Sequence, residues 1–507
     1  MLKKIRLIFS ILFFCAINLF FLDKLDAAAG LTKIQLVPAA ISLNILVLLF
    51  LFVLTLLFGR LYCSFICPLG IFQDITIWLS GKIRRAKKTF SFSKPRNVVR
   101  YAILAVALLS LFTGLNAILA LVEPYSLYGK IATHIIKPIW LFANNLLSAI
   151  NDKFNLYIIS REEIPALSLI SLGVSAAFFA IIGFTAWRYG RAWCNIVCPV
   201  GAFLGIISRF SVFKISVNKE KCMNCGLCEK ICKASCIDSK NNGFDYIDYS
   251  RCIVCFDCIN VCTKRKAISF APFFSGFRKQ RAIRPSENSV ASFSAFSRRD
   301  FISINAAVLS GLTVWMLKTN PLLAAITAKR TKVPVAPPGA GTFKRFSKLC
   351  TSCHLCVSQC PEHILFPSST EYGILGMMQP VMNFNKGGCD YYCTVCGQAC
   401  PTGAIQNLPL KERQKIQMGY AVFNSPDCLI VKDNVKCKNC VSHCPTEAIK
   451  LEESDGKKLP AIDKNKCIGC GQCEYYCPAR PEKAIYVEGY AEQSVAGVKN
   501  ADNKGGS

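Results

Sequence analysis

Histidine is almost missing from this chain. Its 507 residues contain four: His134, His354, His363 and His443. None lies inside a long apolar stretch and no C-x-x-C-H occurs, so neither histidine-ligated haem nor c-type attachment can be inferred as a bridge between other centres. Acids are also scarce. Against 60 Lys and Arg there are 31 Asp and Glu, leaving a formal charge of +29. Such a balance invites a nucleic-acid reading, but basic stripes interleaved with aromatics are lacking. The cations gather beside apolar segments instead, and no nucleic-acid partner is expected. The first apolar run lacks a clean small-residue cleavage site and ends at Asp23, Lys24 and Asp26, which fits a retained helix better than a removed signal.

Cysteine, by contrast, is plentiful: thirty residues, of which twenty-four fall into six groups of four. The first pair of groups is Cys222, Cys225, Cys228, Cys232 with Cys252, Cys255, Cys258, Cys262. The second is Cys350, Cys353, Cys356, Cys360 with Cys389, Cys393, Cys396, Cys400. The third is Cys428, Cys437, Cys440, Cys444 with Cys467, Cys470, Cys473, Cys477. Five groups end in C-x2-C-x3-C after a first cysteine two or three residues upstream; the sixth has a longer first gap. Four run on into proline, at Pro361, Pro401, Pro445 and Pro478. A disulfide scaffold rarely repeats one spacing six times, and zinc does not require third and fourth thiols in every group. The spacing is that of two-cluster bacterial ferredoxins, where three close thiolates hold one cube and the fourth reaches the neighbouring cube. Six [4Fe-4S] clusters are expected as metal cofactors, and at about −2 each they lower the net charge to about +17. By this exchange Cys262 completes the first cube and Cys232 the second. In the four outer groups, adjacent and nested pairings both stay open. Lys233 and Thr263 stand where proline usually follows, and Cys236 is an additional thiol.

The 52% apolar content points to a membrane protein. Four stretches, Ile5–Phe21, Ala40–Phe58, Tyr101–Val122 and 165–187, approach the ~20 residues that cross a bilayer. Nine basic residues separate the second from the third, with Asp74 the only acid, which puts that segment and the amino terminus in the cytoplasm. After the second stretch comes Gly59-Arg60-Leu61-Tyr62-Cys63-Ser64-Phe65-Ile66-Cys67-Pro68-Leu69-Gly70, and after the fourth Gly190-Arg191-Ala192-Trp193-Cys194-Asn195-Ile196-Val197-Cys198-Pro199-Val200-Gly201. Both copies end an outside-to-inside helix, so Cys63, Cys67, Cys194 and Cys198 are expected to converge on a seventh site. An iron–sulfur cluster, another metal and redox thiols all remain open there. The plainer alternative is small buried residues at helix ends.

Two such motifs on a four-helix domain, followed by a two-cluster ferredoxin, resemble the NapH family of quinol-oxidising membrane ferredoxins over roughly residues 1–270. Farther on, Ser297-Arg298-Arg299-Asp300-Phe301 before a moderately apolar run reads as a Tat export signal. The four cysteine groups beyond it resemble the NapG family of exported four-cluster ferredoxins. The whole is similar to a fusion of the two. The expected fold class is a multi-domain α+β membrane protein: a four-helix transmembrane domain plus an anchoring helix, with βαββαβ-like bacterial 2[4Fe-4S] ferredoxin modules. Its parts would be a membrane domain (1–210), a cytoplasmic ferredoxin (211–272), a linker (273–297), a Tat-like anchor (298–325), a Pro/Gly spacer (326–345), a periplasmic ferredoxin (346–490) and a tail (491–507). The resemblance implies an inner-membrane electron carrier with quinol dehydrogenase activity, drawing on the quinone pool and feeding a periplasmic reductase or cytochrome. Assembly of a respiratory metalloenzyme, or electron entry from ferredoxin into quinone, are alternatives. His134, Lys137 and Trp140 are read as a membrane-surface helix, with a quinone headgroup as the other candidate, and His354 and His443 as exposed loop residues.

Overall fold

The computed structural model describes residues 2–496, apart from 26–28, 84–89, 155–159, 164–167, 219–220, 240–246, 263–265, 273–332, 370, 374–375 and 455. The linker, the Tat-like signal and the anchoring helix lie outside the described residues, as does the tail beyond 496.

The amino-terminal half is helical: α1 (Leu2–Phe21), α2 (Leu36–Ile41), α3 (Ile45–Phe58), α4 (Tyr62–Phe65), α5 (Pro68–Ile83), α6 (Asn97–Thr113), α7 (Pro124–Ile131), α8 (Lys137–Lys153), α9 (Leu169–Tyr189), α10 (Ala192–Ile196) and α11 (Pro199–Ser208). Among the described residues, two helices are long and apolar enough to cross a membrane, α1 and α9. The expected four-helix transmembrane domain is corrected accordingly, since α3 has 14 residues and α6 has 17. The shortening has local causes. Leu43 takes a positive φ of 54° and the Asn44 side chain accepts from the Val47 N–H, starting α3 five residues after Ala40. Gly114, at φ 74°, closes α6 in the left-handed conformation that glycine tolerates.

The duplication is visible in the backbone. Helices α3, α4 and α5 repeat as α9, α10 and α11: a long helix ends at a glycine of positive φ (Gly59, 73°; Gly190, 70°), a one-turn helix carries the first cysteine, and proline opens the next helix.

Two ferredoxin modules frame this helical body. The inner one pairs β1 (Phe213–Val217) with β2 (Ile268–Pro272) around the first eight cluster cysteines, with a bridge between Ile237 and Ile247. The outer one carries β3 (Leu365–Pro367) against β4 (Pro380–Met382). It continues with β5 (Ile416–Phe423) against β8 (Ile485–Val495) and β6 (Ile449–Ser454) against β7 (Lys457–Ile462), all antiparallel. With short helices at Asn439–Ser442 and Gln472–Tyr475, residues 416–495 follow a βαββαβ order. The outer module exceeds its expected limits. β8 runs to Val495, and the Pro/Gly stretch is part of the domain: Ala340 is fully buried, Met382 N–H donates to Val335 O (2.9 Å) and Gln406 N–H to Gly339 O (3.0 Å).

Candidate metal centres

The ferredoxin loops place their cysteines by short helical turns entered through left-handed residues: Gly226, Phe256, His354 and Gly471 precede the turns that carry Cys228, Cys258, Cys356 and Cys473. The sulfurs then face common cavities. Cys360, Cys389, Cys393 and Cys396 line one; Cys428, Cys437, Cys440 and Cys477 a second; Cys444, Cys467, Cys470 and Cys473 a third. Cys232, Cys252, Cys255 and Cys258 line a fourth, together with Cys236. Cys356 lies within electrostatic reach of Cys353, Cys400 and Cys350; burial first, then their charges, pushes its thiol well above the ordinary value. Of the remaining group, Cys228 lies near Cys258, Cys225 is exposed, and Cys222 and Cys262 are partly so.

These groupings resolve the pairing left open by spacing. Adjacent groups exchange their fourth cysteine: Cys400 joins Cys350, Cys353 and Cys356, while Cys360 joins the next three. Cys477 and Cys444 cross over in the same way, and Cys232 joins the second inner group. Among the described residues no three Cys, His, Asp or Glu side chains sit close enough together to hold a single ion. Four thiols facing one shared cavity form a purely sulfur donor set, which suits iron–sulfur chemistry.

The duplicated motif builds a further cysteine cluster. Cys198 is within electrostatic reach of Cys194, Cys67 and Cys63, and all four side chains are buried. Two fully buried arginines cross over them in pseudo-symmetric fashion. Arg60 Nη2 donates to the Cys194 carbonyl (3.3 Å) and lies 3.9 Å from Cys63 Sγ; Arg191 Nη1 donates to the Cys63 carbonyl (3.0 Å) and lies 3.9 Å from Cys194 Sγ. This explains the glycine of C-P-x-G. A Cβ on Gly70 would lie 2.5 Å from Arg191 Nη1 and from Cys63 O, and one on Gly201 would strike Cys194 O and Arg60 Nη2. The charges are less symmetric. Arg191 pairs with Asp74 (3.0 Å), whereas among the described residues Arg60 meets only Asn195 Oδ1 (2.9 Å), Ser250 O (3.0 Å) and the Cys194 carbonyl besides the sulfur. Arg60 Nε, Arg191 Nη2, Gln73 Nε2 and Trp193 Nε1 are buried without an acceptor among the described residues. Buried donors normally have one, and an anionic cluster on four thiolates would supply both acceptors and counter-charge.

Asp74, the lone acid of the basic segment, is a hub: besides Arg191 it binds Arg6 and Lys233 (3.4 Å). Burial alone would raise its carboxyl, but Arg191, Lys233 and Arg6 hold it far below the ordinary range. Lys233 thus earns its place where ferredoxins carry proline. It also pairs with Asp257 (3.0 Å), and its carbonyl accepts from Arg191 N–H (2.9 Å), docking the inner module on the motif.

At the other end the histidine readings are corrected. His134 and Lys137 are buried against the outer module rather than exposed on a surface helix. His134 Nε2 meets His354 Nδ1 at 2.8 Å, His354 Nε2 meets Met378 O at 2.8 Å, and Lys137 donates to Ser358 O. Both histidines are buried, so His354 is no exposed loop residue; burial in a ligand loop leaves no mark in a single sequence. Trp140 is exposed, and so is His443, stacked on Tyr476 at 3.6 Å.

Thiol-lined cavities set in paired ferredoxin loops define an iron–sulfur electron-transfer protein of the ferredoxin type. A 4Fe-4S binding domain family matches residues 42–87, 171–218 and 394–418, the first two spanning the duplicated motif, and a 4Fe-4S dicluster domain family matches 435–480. The methylamine utilization ferredoxin-type protein MauM of Methylobacillus flagellatus is 30% identical over 42% of this chain and 88% of its own length. MauN of Methylorubrum extorquens is 30% identical over 39% of this chain and 55% of its own, and the ferredoxin-type protein NapF of Escherichia coli 27% over 31% and 87%. The chain belongs to this family of ferredoxin-type 4Fe-4S proteins. No solved structure matches it significantly.

Proposed function

We propose that this chain carries electrons across a membrane along a single file of [4Fe-4S] centres, as a fusion of NapH-like and NapG-like halves would. The observation that carries the reading is helix α1. Its Lys3 pairs with Asp257 of the inner ferredoxin (2.8 Å), while Phe21 O, at the opposite end, accepts from Ser358 Oγ of the outer ferredoxin (2.5 Å). Twenty helical residues span ~30 Å, the thickness of a hydrocarbon core. Outward apolar residues on the shorter helices, such as Ile45, Leu46 and Phe112, suit lipid contact.

The order of the cysteine groups supports the file. From the inner end it runs through Cys222/225/228/262, Cys232/252/255/258, the Cys63/67/194/198 site, Cys350/353/356/400, Cys360/389/393/396, Cys444/467/470/473 and Cys428/437/440/477. Arg60 connects Cys63 and Cys194 to Cys252. Tyr62 lies within reach of both Cys67 and Glu123, and Tyr125 of Glu123 and Cys353, filling the gap above the motif. Cys389 N–H donates to Cys470 O (2.7 Å), joining the two outer pairs. The inner ferredoxin would lie in the cytoplasm and the outer one in the periplasm.

A membrane quinol is the proposed donor. An apolar groove of about 500 Å³ opens among α2, α3, α6 and α11, and Pro199 and Val200, next to Cys198, form part of its wall. Quinol would give up two electrons, one at a time, and release two protons; the acceptor would be a periplasmic reductase or cytochrome. The test uses protein in liposomes with ferricyanide trapped inside and reductant outside. Current is expected in the wild type, and the C63S/C194S variant should lose it along with about four irons. Undiminished current in that variant overturns the file. Current only when quinone is added to the bilayer would mean that the membrane carrier, not the motif, bridges the gap. No current in any vesicle would favour an assembly role.

A further inference from the structure

The last group in the proposed file is Cys428, Cys437, Cys440 and Cys477, of which the first and last are buried. Cys437 and Cys440 are partly exposed, whereas Cys350, Cys353 and Cys356 beside the helices are buried. The loop that supplies Cys437 is studded with cations. Lys432, Lys436 and Lys438 are all exposed, and Asp433 is the only acid between Cys428 and Cys440. Among the described residues none of the three lysines enters an ion pair. Beside them the exposed Tyr476 ring stacks on His443, forming a flat aromatic surface at the same edge. Uncompensated lysines around a flat aromatic centre combine long-range attraction with a surface that can be desolvated on contact.

We propose that this face is the docking site for a redox protein whose own contact surface is acidic, and that electrons leave or enter the chain here. The inference rests on the cluster assignment and order proposed above but needs no membrane crossing. Each encounter moves one electron from a reduced cube to the partner's oxidised centre.

The test uses detergent-solubilised full-length protein, reduced and mixed in stopped flow with two protein oxidants of opposite charge: plastocyanin, which is acidic, and cytochrome c, which is basic. At low salt, K432E/K436E/K438E should slow plastocyanin reduction about tenfold and speed cytochrome c reduction, and both differences should fade by about 0.5 M salt. A control reversal at exposed lysines of the outer module elsewhere, K344E/K386E/K411E, should change neither rate by more than about twofold. Equal effects of the two triple variants, or no effect of the first with iron content intact, overturn the proposal. Because vesicle current is not measured, a failure of the transmembrane file and a failure of this face give different results.

Discussion

The helical body holds its two ferredoxin modules by different chemistry. Inward, ion pairs reinforce hydrogen bonds to the Ser250 and Lys233 carbonyls: Arg6, Arg191 and Lys233 surround Asp74, and Lys3 and Lys233 surround Asp257. Outward, among the described residues, no ion pair joins body and module. The contact is made by His134 with His354, by Lys137 donating to Ser358 O, by Ser358 and Gln359 donating to the last carbonyls of α1, by Asn116 donating to Lys348 O, and by Gly129 lying flat against the Cys353 carbonyl. An ionic joint tolerates polar surroundings and draws its strength from charge. A joint without ion pairs draws it from close fit and from hydrogen bonds, one of them between imidazoles that must stay unprotonated. The two ends should therefore fail under different stresses.

The largest effect should come from Asp74→Asn. It leaves three cations around a neutral side chain, and breaking a buried ion pair costs about 3 kcal/mol. Hydrogen exchange should rise at residues 68–74 and 230–236 and stay unchanged at 133–137. Equal exposure at both ends would mean that the joints are one cooperative unit.

Acid should reverse the ranking. Burial, with the charge of Lys130 adding to it, pushes His134 down to about 4. A depressed pKa means that its stabilising effect is complete above the unfolded value near 6.5 and declines as pH falls toward 4. Asp74 is depressed as well, but from an ordinary value of 3.8, so its contribution holds down to about pH 4 and is lost only below. At pH 5 the outer joint should be weakened by about 2 kcal/mol while the ionic one keeps its strength. Exchange at 133–137 should accelerate between pH 7 and 5, with residues 68–74 flat over that range. Gly129→Ala ranks next. Its Cβ would meet Cys353 O, and such overpacking costs about 1–3 kcal/mol, loosening the outer joint alone at every pH.

How far these joints could be read from sequence follows from the distances involved. Cysteine spacing is legible because cluster ligation is local: three thiols within thirteen residues, then one from the partner loop. The duplicated motif is legible for the same reason, although the role of its glycines is not, because Gly70 yields to an arginine of the other copy. Helix lengths were overestimated where Leu43 and Gly114 interrupt apolar runs without changing their composition. Pro334–Gly341 reads as a spacer because proline and glycine dominate it, yet its small residues let the backbone pack tightly. Lys233 looks like a defect in the ferredoxin pattern until Asp74, 159 positions away, is placed beside it. His134 and His354 are 220 residues apart, and nothing in either neighbourhood announces the other.

That pair also supplies the smallest and most discriminating change. His134→Gln keeps a neutral side chain able to hydrogen-bond, so at pH 7 the loss should be about 1 kcal/mol, the worth of one imperfect buried hydrogen bond. The variant has no imidazole at that position to protonate, however. If His134 is the group that weakens the outer joint in acid, the rise in exchange at 133–137 between pH 7 and 5 should shrink in the variant even though the joint starts out weaker. The ionic joint should show the same flat profile in both proteins. A variant that is weakened at pH 7 yet keeps the full acid response would assign that response to another group at the interface, and the contrast between a charge-held and a fit-held end would lose its pH half while keeping its mutational one.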